Sequence, residues 1–519
     1  MFVRKKQNKS GVISVQIIDK SSGKYKVVKT IGSSSDEKQV SLLVSKGEQF
    51  IRSKTGLQEF DFQDYDYFYS QVLSSITSHK LIGLDLVLGK IFDEIGFNKI
   101  EDELFKDLVL YRLVYPKSKL KTTEYLYRFA HKTYSEDDVY RYMDKLYNTQ
   151  KEQVQQISYN HTLQILPHGI SVVFYDVTTI YFETDYEDDF RKTGFSKEGK
   201  HQNPQIVLGF LVSEGGYPLA YDIFQGKQYE GHTMLPVINE FKAKYKLDQI
   251  VIVADSGLLS TSNIEELIAQ KYAFILGARI KTESAQIKKK ILSLSLKDGQ
   301  SAILKKGDLK LIITYSSQRA KKDQYNREKG LRRLEKSLKT GKLTKSNINN
   351  KGYNKFLEMD GEVHVKINQQ KIAEDAKWDG LKGYLTNSTL SKERILANYK
   401  QLWQIEKAFR IAKTDLKIRP VFHYKQRRIE AHICLNFVAY KVYKELERQL
   451  KEKKSDLSPE KVIEIVQSIY EIEAKSPNDK TYKRRLLMTD EHHEIQKLFD
   501  FWFGCPSAEV RSLQARARL

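Results

Sequence analysis

The sequence is poor in cysteine and in long apolar runs. Only two cysteines occur in 519 residues, Cys434 and Cys505, which excludes a disulfide framework and a cysteine-based zinc site and fits a reducing cytoplasm. No apolar run approaches the roughly 20 residues that span a bilayer. The N-terminus, "MFVRKKQNKS", lacks the apolar segment of a signal peptide. These absences predict a cytoplasmic protein without a membrane anchor.

Positive charge, in contrast, is abundant. The net charge is +21 and the pI is near 9.4, which predicts attraction to a polyanion, most often nucleic acid. Residues 281–346 carry 19 Lys/Arg against 6 Asp/Glu, and residues 1–55 carry 12 against 4. These two stretches account for the whole excess. A solvated lysine-rich surface is the alternative explanation, but the concentration of charge favours two contact surfaces.

The first third of the chain divides into a β-rich part and a helical part. With 519 residues and 40% hydrophobic residues, the chain is expected to form roughly two to four structural units. Residues 1–55 are predicted to form a basic β-hairpin segment, because two β-rich runs flank the turn "SSG". Residues 56–165 are predicted to be helical, with Ser135 as an N-cap. Two amphipathic segments there indicate either a helix-turn-helix, in a domain that binds DNA ends, or an ordinary helical hairpin.

The centre of the chain alternates between strands and helices. Residues 166–280 contain apolar runs in the order β-β-β-α-β-α-β, which predicts an α/β fold with a mixed sheet flanked by helices. Residues 281–380 are predicted to be a basic, partly β insertion, and residues 381–450 to complete the core. Residues 451–519 are predicted to be a helical C-terminal tail.

Carboxylates end two of the predicted strands. Asp176 follows "SVVFY", and Asp255 follows "VIVA". A single Asp at a strand end is most often a loop cap. Two of them after apolar strands favour a metal site, because buried carboxylates must be paired or bound to a metal. The ends of such strands are also where α/β folds place their ligands.

The helix predicted over 391–415 offers three candidates for a third carboxylate: Glu393, Glu406 and Asp415. Glu406 is favoured because Tyr399 and Lys413 lie seven residues to either side of it, on one helix face. Trp403 and Arg410 lie near the same stripe. Incidental charges on an amphipathic helix are the alternative. Three carboxylates in a basic chain suit phosphodiester chemistry assisted by Mg²⁺, with Mn²⁺ as a substitute.

These features resemble a known family. The order of elements, the insertion and the helix that carries Glu406 are similar to the ribonuclease-H-like catalytic core of the DDE transposases of bacterial insertion sequences. The IS-four-like branch that includes the transposon-five transposase has the signature Tyr-x2-Arg-x3-Glu-x6-Lys. Tyr399, Glu406 and Lys413 match it, and Leu402 stands at the Arg position. The segments "GFSKEGKHQNPQIVLGFLVSEGGYPLAYDIFQG" and "DLKIRPVFHYKQRRIEAHICLNFVAY" also resemble the family, so the similarity covers roughly residues 165–450.

The resemblance implies a site. Asp176, Asp255 and Glu406 match the family's catalytic triad, which implies that they hold Mg²⁺. Tyr399 and Lys413 match positions that the family uses on the DNA backbone, and three residues are candidates to replace the missing Arg. The implied DNA contacts are Tyr399, Trp403, Arg410, Lys413, His423 and Arg427.

The resemblance also implies a reaction, cut-and-paste DNA transposition. The protein would cleave DNA and transfer strands at terminal inverted repeats, as a homodimer on the DNA, in association with a bacterial nucleoid. Two alternatives remain. One is a metal-dependent nuclease of the same fold without strand transfer, and the other is a non-catalytic DNA-binding protein derived from a transposase.

Overall fold

In the computed structural model, the described residues are 1–54, 70, 72–196, 199–247, 250–258, 260–340, 343, 345–349, 352–360, 364–476 and 479–501. Parts of every predicted region lie outside this part of the chain. They are residue 55 of the predicted hairpin segment, residues 56–69 and 71 of the predicted helical region, residues 197, 198, 248, 249 and 259 of the predicted core, residues 341, 342, 344, 350, 351 and 361–363 of the predicted insertion, and residues 477, 478 and 502–519 of the predicted tail, which include Cys505.

The chain forms two compact units. The smaller comprises Met1–Ser78 and Glu473–Lys483, and the larger comprises His79–Ile472 and Arg484–Leu519. Neither unit follows the predicted boundaries near residues 55, 165, 280, 380 and 450.

The smaller unit begins with a three-stranded antiparallel sheet. Strands β1 (Phe2–Gln7), β2 (Ile13–Asp19) and β3 (Lys26–Ser34) pair in that order and are followed by helix α1 (Glu37–Lys54). The predicted hairpin corresponds to β2 and β3. Strand β1 was not predicted because it is mostly polar and exposed, and backbone pairing with β2 holds it in place.

The remaining strands are β4 (Ile76–Leu81), β5 (Val172–Tyr181), β6 (Gln205–Ser213), β7 (Pro218–Gln225), β8 (Val251–Ala254), β9 (Ala273–Ala278), β10 (Ser301–Lys306), β11 (Leu309–Tyr315), β12 (Leu357–Asp360), β13 (His364–Ile367), β14 (Leu381–Thr386), β15 (Tyr470–Lys475) and β16 (Thr481–Leu486). The chain passes between the two units within β4, β15 and β16. The presence of β15 and β16 means that the predicted helical tail is wrong in part, since alternating polar residues there pair as strands.

The remaining α-helices are α2 (Lys90–Ile95), α3 (Glu103–Val114), α4 (Lys119–Tyr125), α5 (Glu136–Lys145), α6 (Lys151–Ile165), α7 (Met234–Tyr245), α8 (Thr261–Ala269), α9 (Ala285–Leu292), α10 (Ser317–Lys339), α11 (Gln369–Ala376), α12 (Lys392–Lys400), α13 (Trp403–Thr414), α14 (Gln426–Glu452), α15 (Pro459–Val466) and α16 (Asp490–Phe499). Ser135 caps α5, because its hydroxyl accepts from the Asp138 N–H while the Asp138 carboxylate accepts from the Ser135 N–H. No helix of the described residues is long and apolar enough to cross a membrane.

A mixed sheet of eight strands forms the centre of the larger unit, in the order β10-β11-β14-β9-β8-β5-β6-β7. Strands β5, β8 and β9 run parallel, and every other neighbouring pair is antiparallel. The elements from β5 to β9 follow the predicted order β-β-β-α-β-α-β. Strands β10 and β11 extend this same sheet through pairing with β14, so the part of the predicted insertion that contains them belongs to the core.

Apolar side chains cover both faces of the sheet, as the two-residue period of the strands requires. Val173 and Tyr175 of β5 pack on one face, with helices α7, α8 and α9. Val172 and Phe174 pack on the other, with α12, α13 and α14. Helix α14 is almost wholly buried, since α3, α5 and α6 of the predicted helical region pack against it. Residues 79–165 therefore share a core with the sheet.

The fold predicts a strict requirement for glycine at position 209. A Cβ at Gly209 would collide with the hydroxyl of buried Tyr175, which donates to the Thr233 hydroxyl at 2.8 Å. We expect Gly209→Ala to lower the free energy of unfolding by about 1–3 kcal/mol, measured by urea denaturation. Gly257→Ala is the control, because no atom lies within 4 Å of its added Cβ. A Tyr175→Phe background should weaken the effect of Gly209→Ala, and strictly additive effects would contradict the proposed collision.

Candidate active site

Two carboxylates lie side by side at neighbouring strands of the central sheet. Asp255 directly follows β8, as predicted, whereas Asp176 lies within β5, which continues to Tyr181, so the prediction that Asp176 ends a strand is wrong. The parallel register of β5 and β8 pairs Val172 with Val251 and continues to Tyr175 with Ala254. Asp176 and Asp255 each follow the last of these pairs by one residue. Neighbouring strands lie about 4.8 Å apart, so the register makes the two aspartates adjacent. The two-residue period also places both on the face of Phe174 and Val253.

Helix α12 brings a tyrosine to one of these carboxylates. It packs on β8 and β9, and the Tyr399 hydroxyl donates a hydrogen bond to Asp255 Oδ1 at 3.0 Å. Gly277 of β9 makes this approach possible, because a Cβ there would lie only 2.5 Å from the Tyr399 hydroxyl. Tyr399 is buried, and burial followed by the charge of Asp255 raises its pKa. Its phenol therefore stays protonated and holds Asp255 in one orientation.

Helix α13 packs against β5 and carries Glu406, exposed, in its first turn. The start of a helix favours a negative charge. The prediction of one helix over 391–415 is wrong: bonds between residues three apart, such as Leu402 N–H to Tyr399 C=O at 3.1 Å, separate α12 from α13. Tyr399 and Glu406 therefore lie on different helices and do not share one helix face.

A half-buried lysine completes the group, and sequence reasoning did not find it. Lys382 of β14 has its ammonium 4.6 Å from the centre of the Tyr399 ring. Burial, followed by the charge of Arg319, lowers the pKa of Lys382, while the charges of Asp255 and Glu406 act in the opposite direction. Both carboxylates therefore act on one ammonium group. No pattern near residue 382 signals this role, because it depends on β14 pairing between β11 and β9.

The three candidate carboxylates are chemically suited to bind a hard divalent cation. Asp176, Asp255 and Glu406 offer only carboxylate oxygens, which Mg²⁺ and Mn²⁺ prefer. Among the described residues, however, no group of three or more His, Cys, Asp or Glu side chains lies close enough together to hold a metal ion. The structure thus makes the two aspartates adjacent without placing Glu406 in the same cluster.

A cavity of about 690 Å³ opens beside Asp255 and Tyr399. Helix α10, from the basic stretch, forms one of its walls. Several cations on this wall are already paired, for example Arg327, which makes two 2.6 Å bonds to Asp379. The basic side chains that line the cavity are Arg279, Lys281, Arg319, Arg327, Lys355 and Lys382.

The candidate DNA contacts occupy varied environments. Trp403 is 51% exposed, and Arg410 is also exposed on α13. Lys413 is half-buried near the end of the same helix. Leu402, at the signature's Arg position, is buried in the apolar core between α12 and α13, which explains why a charged residue is absent there.

The last two candidates follow α13. Arg427 is ion-paired with Asp144 at 2.9 Å, and Arg428 shares that carboxylate. Burial raises the pKa of Asp144, but the hydrogen bonds from the two arginines outweigh it and the net shift is downward. His423 lines a second, separate cavity.

Comparison with known proteins gives three findings. No curated protein matches the chain. One similar solved structure is the "Cryo-EM structure of piggyBac transposase synaptic complex with hairpin DNA", with 10% identity, a TM-score of 0.39, and coverage of 77% of this chain and 79% of that one. The family model described as "Transposase DDE domain" matches residues 167–441, more than half of the chain. This match covers β5 to β9 and all three carboxylates, and the chain belongs to the transposase DDE domain family.

Proposed function

We propose that this transposase-family protein cleaves DNA and transfers strands at the ends of an insertion sequence, with Asp176, Asp255 and Glu406 as catalytic carboxylates. The observation that carries the proposal is the parallel register of β5 and β8, which makes two carboxylates adjacent at the centre of the sheet. The helix with the third carboxylate packs on the face that carries them.

The sheet topology supports a ribonuclease-H-like core. Strands β7, β6 and β5 form an antiparallel meander, and β8 and β9 continue from β5 in parallel. Ligands of α/β sheets bind outside the carboxyl ends of parallel strands, which is where Asp255 lies. The IS-four-like branch is a further proposal, and Tyr399, Glu406 and Lys413 support it.

The three carboxylates would hold Mg²⁺ or Mn²⁺, which supplies a polarised phosphodiester and an activated water or 3′-hydroxyl. The chain's own residues have separate tasks. Tyr399 orients Asp255, and the Lys382 ammonium balances the negative charge of Asp255 and Glu406. Basic side chains of the 690 Å³ cavity bind the DNA backbone next to the carboxylates. Joining two DNA ends in one reaction calls for a pair of chains.

Asp176→Ala tests the catalytic assignment. We expect binding of a duplex that carries an element end to persist, while Mg²⁺-dependent cleavage falls by more than about 100-fold, since even partners of metal ligands contribute about 10–100-fold. Asp189→Ala removes an exposed carboxylate from the loop after β5 and serves as the control. Normal cleavage by Asp176→Ala would refute the triad.

The same assay with pre-cut ends separates the proposed function from its alternatives. A transposase joins an end with a free 3′-hydroxyl to target DNA, whereas a nuclease leaves it unjoined. A DNA-binding protein derived from a transposase would neither cleave nor join.

Tyr399→Phe tests the positioning role of the hydroxyl on Asp255. Loss of this hydrogen bond should reduce Mg²⁺-dependent cleavage by about 10–100-fold and raise the Mg²⁺ concentration needed for half-maximal rate. Tyr384→Phe is the matched control, because this ring packs against Tyr399 at 4.6 Å and makes no hydrogen bond to Asp255. An unchanged Mg²⁺ dependence in Tyr399→Phe would show that Asp255 needs no such support.

Salt dependence tests the cavity as the DNA-binding surface. Affinity should fall steeply with salt, and removal of one phosphate contact should reduce the slope of log K against log[salt] by about 0.9. We expect this reduction for Arg319→Gln, whose side chain lines the cavity. Arg332→Gln removes an exposed arginine of the same helix outside the cavity lining and should leave the slope nearly unchanged. If the two variants reduced the slope equally, Arg319 would contribute only to the general positive charge and would make no specific phosphate contact.

A further inference from the structure

A second cavity, of about 410 Å³, lies in the larger unit between the start of α4 and the segment that joins α13 to α14. Two buried cations line it, Arg112 near the end of α3 and Lys119 at the start of α4. Each is only 6% exposed. The cavity belongs to neither the carboxylate site nor the basic stretch at residues 281–346.

Among the residues that the structure describes, these two cations have no anionic partner. Within the described part of the chain, no side-chain hydrogen bond or ion pair joins Arg112 or Lys119 to another group, although buried charges in proteins are normally paired. Burial lowers the pKa of Arg112 to about 10. Burial, followed by the charge of Arg112, lowers the pKa of Lys119 well below its usual value. An anion in the cavity would relieve both effects.

The rest of the wall is also strongly basic. Lys117, Lys417 and Arg419 contribute further cations, and Glu136 is the only acid among the described lining residues. The Glu136 carboxylate already accepts a 2.5 Å hydrogen bond from the Tyr140 hydroxyl. The wall therefore offers a large excess of positive charge to any molecule that enters.

The positive charges around the cavity also act on His423. Burial, followed by the charges of Lys119, Arg112 and Arg428, lowers its pKa to about 3. Its ring packs edge-on against Tyr140 at 6.0 Å and lies 5.5 Å from His432. A neutral imidazole in this position can donate one hydrogen bond to an anion in the cavity.

The cavity lies at the far end of the strand that carries Asp176. The Arg419 guanidinium lies 5.6 Å from the centre of the Tyr181 ring, at the end of β5, and Phe182 pairs with Val421. Five residue-to-residue steps lead along the strand from Asp176 to Tyr181, about 17 Å at roughly 3.3 Å per step. That length matches the rise of about five base pairs along the axis of a DNA duplex, at 3.4 Å each.

We propose that this cavity, built on Arg112 and Lys119, binds a phosphate group of the DNA backbone several nucleotides from the scissile bond. An arginine fork with a lysine is a combination that proteins use for phosphate. The cavity volume of about 410 Å³ is more than ten times the roughly 30 Å³ that one water molecule occupies, so the cavity admits a sugar-phosphate unit. That the phosphate comes from DNA rests on the proposed function, whereas the anion site itself does not.

Lys119→Met tests the site in the full chain, with Lys121→Met as the matched control, because Lys121 lies on the same helix and pairs with exposed Glu124. The first probe is inorganic phosphate against chloride at equal ionic strength. Phosphate should raise the Tm of the unaltered protein and of Lys121→Met, and should not raise that of Lys119→Met. Without phosphate, Lys119→Met should be at least as stable as the unaltered protein, because an unpaired buried cation is gone. A Lys119→Met protein that is less stable and still gains Tm from phosphate would indicate a purely structural lysine and overturn the proposal.

The second probe is a DNA duplex that carries the element end. Lys119→Met should weaken its binding about tenfold at low salt and reduce the salt slope by about 0.9, and Lys121→Met should do neither. A phosphate effect on Tm without a DNA effect would make this a site for free anions and overturn the DNA assignment. If the unaltered protein bound no DNA at all, the proposed function would fail while the phosphate probe still tested the site.

A measurement on the unaltered protein covers the case in which Lys119→Met does not fold. The pKa of His423, followed by NMR, should rise when phosphate is added, because the anion neutralises Lys119 and Arg112. A His423 pKa that phosphate leaves unchanged would overturn the proposal.

Discussion

The parallel pairing of β5 with β8 is the constraint on which the candidate active site depends. One register places Asp176 beside Asp255 on the same face of the sheet. Neutral and positive groups surround this pair of carboxylates. The Tyr399 hydroxyl bonds to Asp255, and Lys382 lies within the field of Asp255 and Glu406. A shift of β8 by one residue would turn Asp255 to the opposite face of the sheet, and the two aspartates would no longer lie together.

The helices that support this register come from distant parts of the sequence. Helix α14 packs against β7 on one side and against α3, α5 and α6 on the other. Polar contacts fix it in place as well: Lys441 is fully buried and donates to the Ser158 carbonyl at 3.1 Å and to the Thr162 hydroxyl. Burial lowers the pKa of Lys441 to about 7. Residues 79–165 are therefore a structural part of the unit that holds the carboxylates.

Local patterns in the sequence predict what local forces determine. The order of strands and helices from β5 to β9 follows from apolar runs and their lengths, and the N-cap at Ser135 follows from its acidic neighbours. Long-range pairing decides the rest. Strands β10 and β11 join the core through β14, and the helix predicted over 391–415 breaks where Leu402 enters the apolar core. Lys382 could not be predicted, because only the assembled sheet brings it to Tyr399.

The net charge of a sequence stretch also does not reveal which of its cations are unpaired in the folded protein. The stretch at 281–346 carries the largest excess of positive charge in the sequence, yet several of its cations already have partners, including Lys281 with Asp375, Lys306 with Glu283 and Arg327 with Asp379. Arg112 and Lys119 lie outside both basic stretches, are buried, and lack such partners within the described residues. Local net charge thus indicates where a polyanion is attracted, whereas burial without a counter-charge indicates where one of its phosphates is held. The two criteria identify different surfaces of the larger unit, and a DNA strand that follows β5 from Asp176 toward Tyr181 would lead from the carboxylates to the second of them.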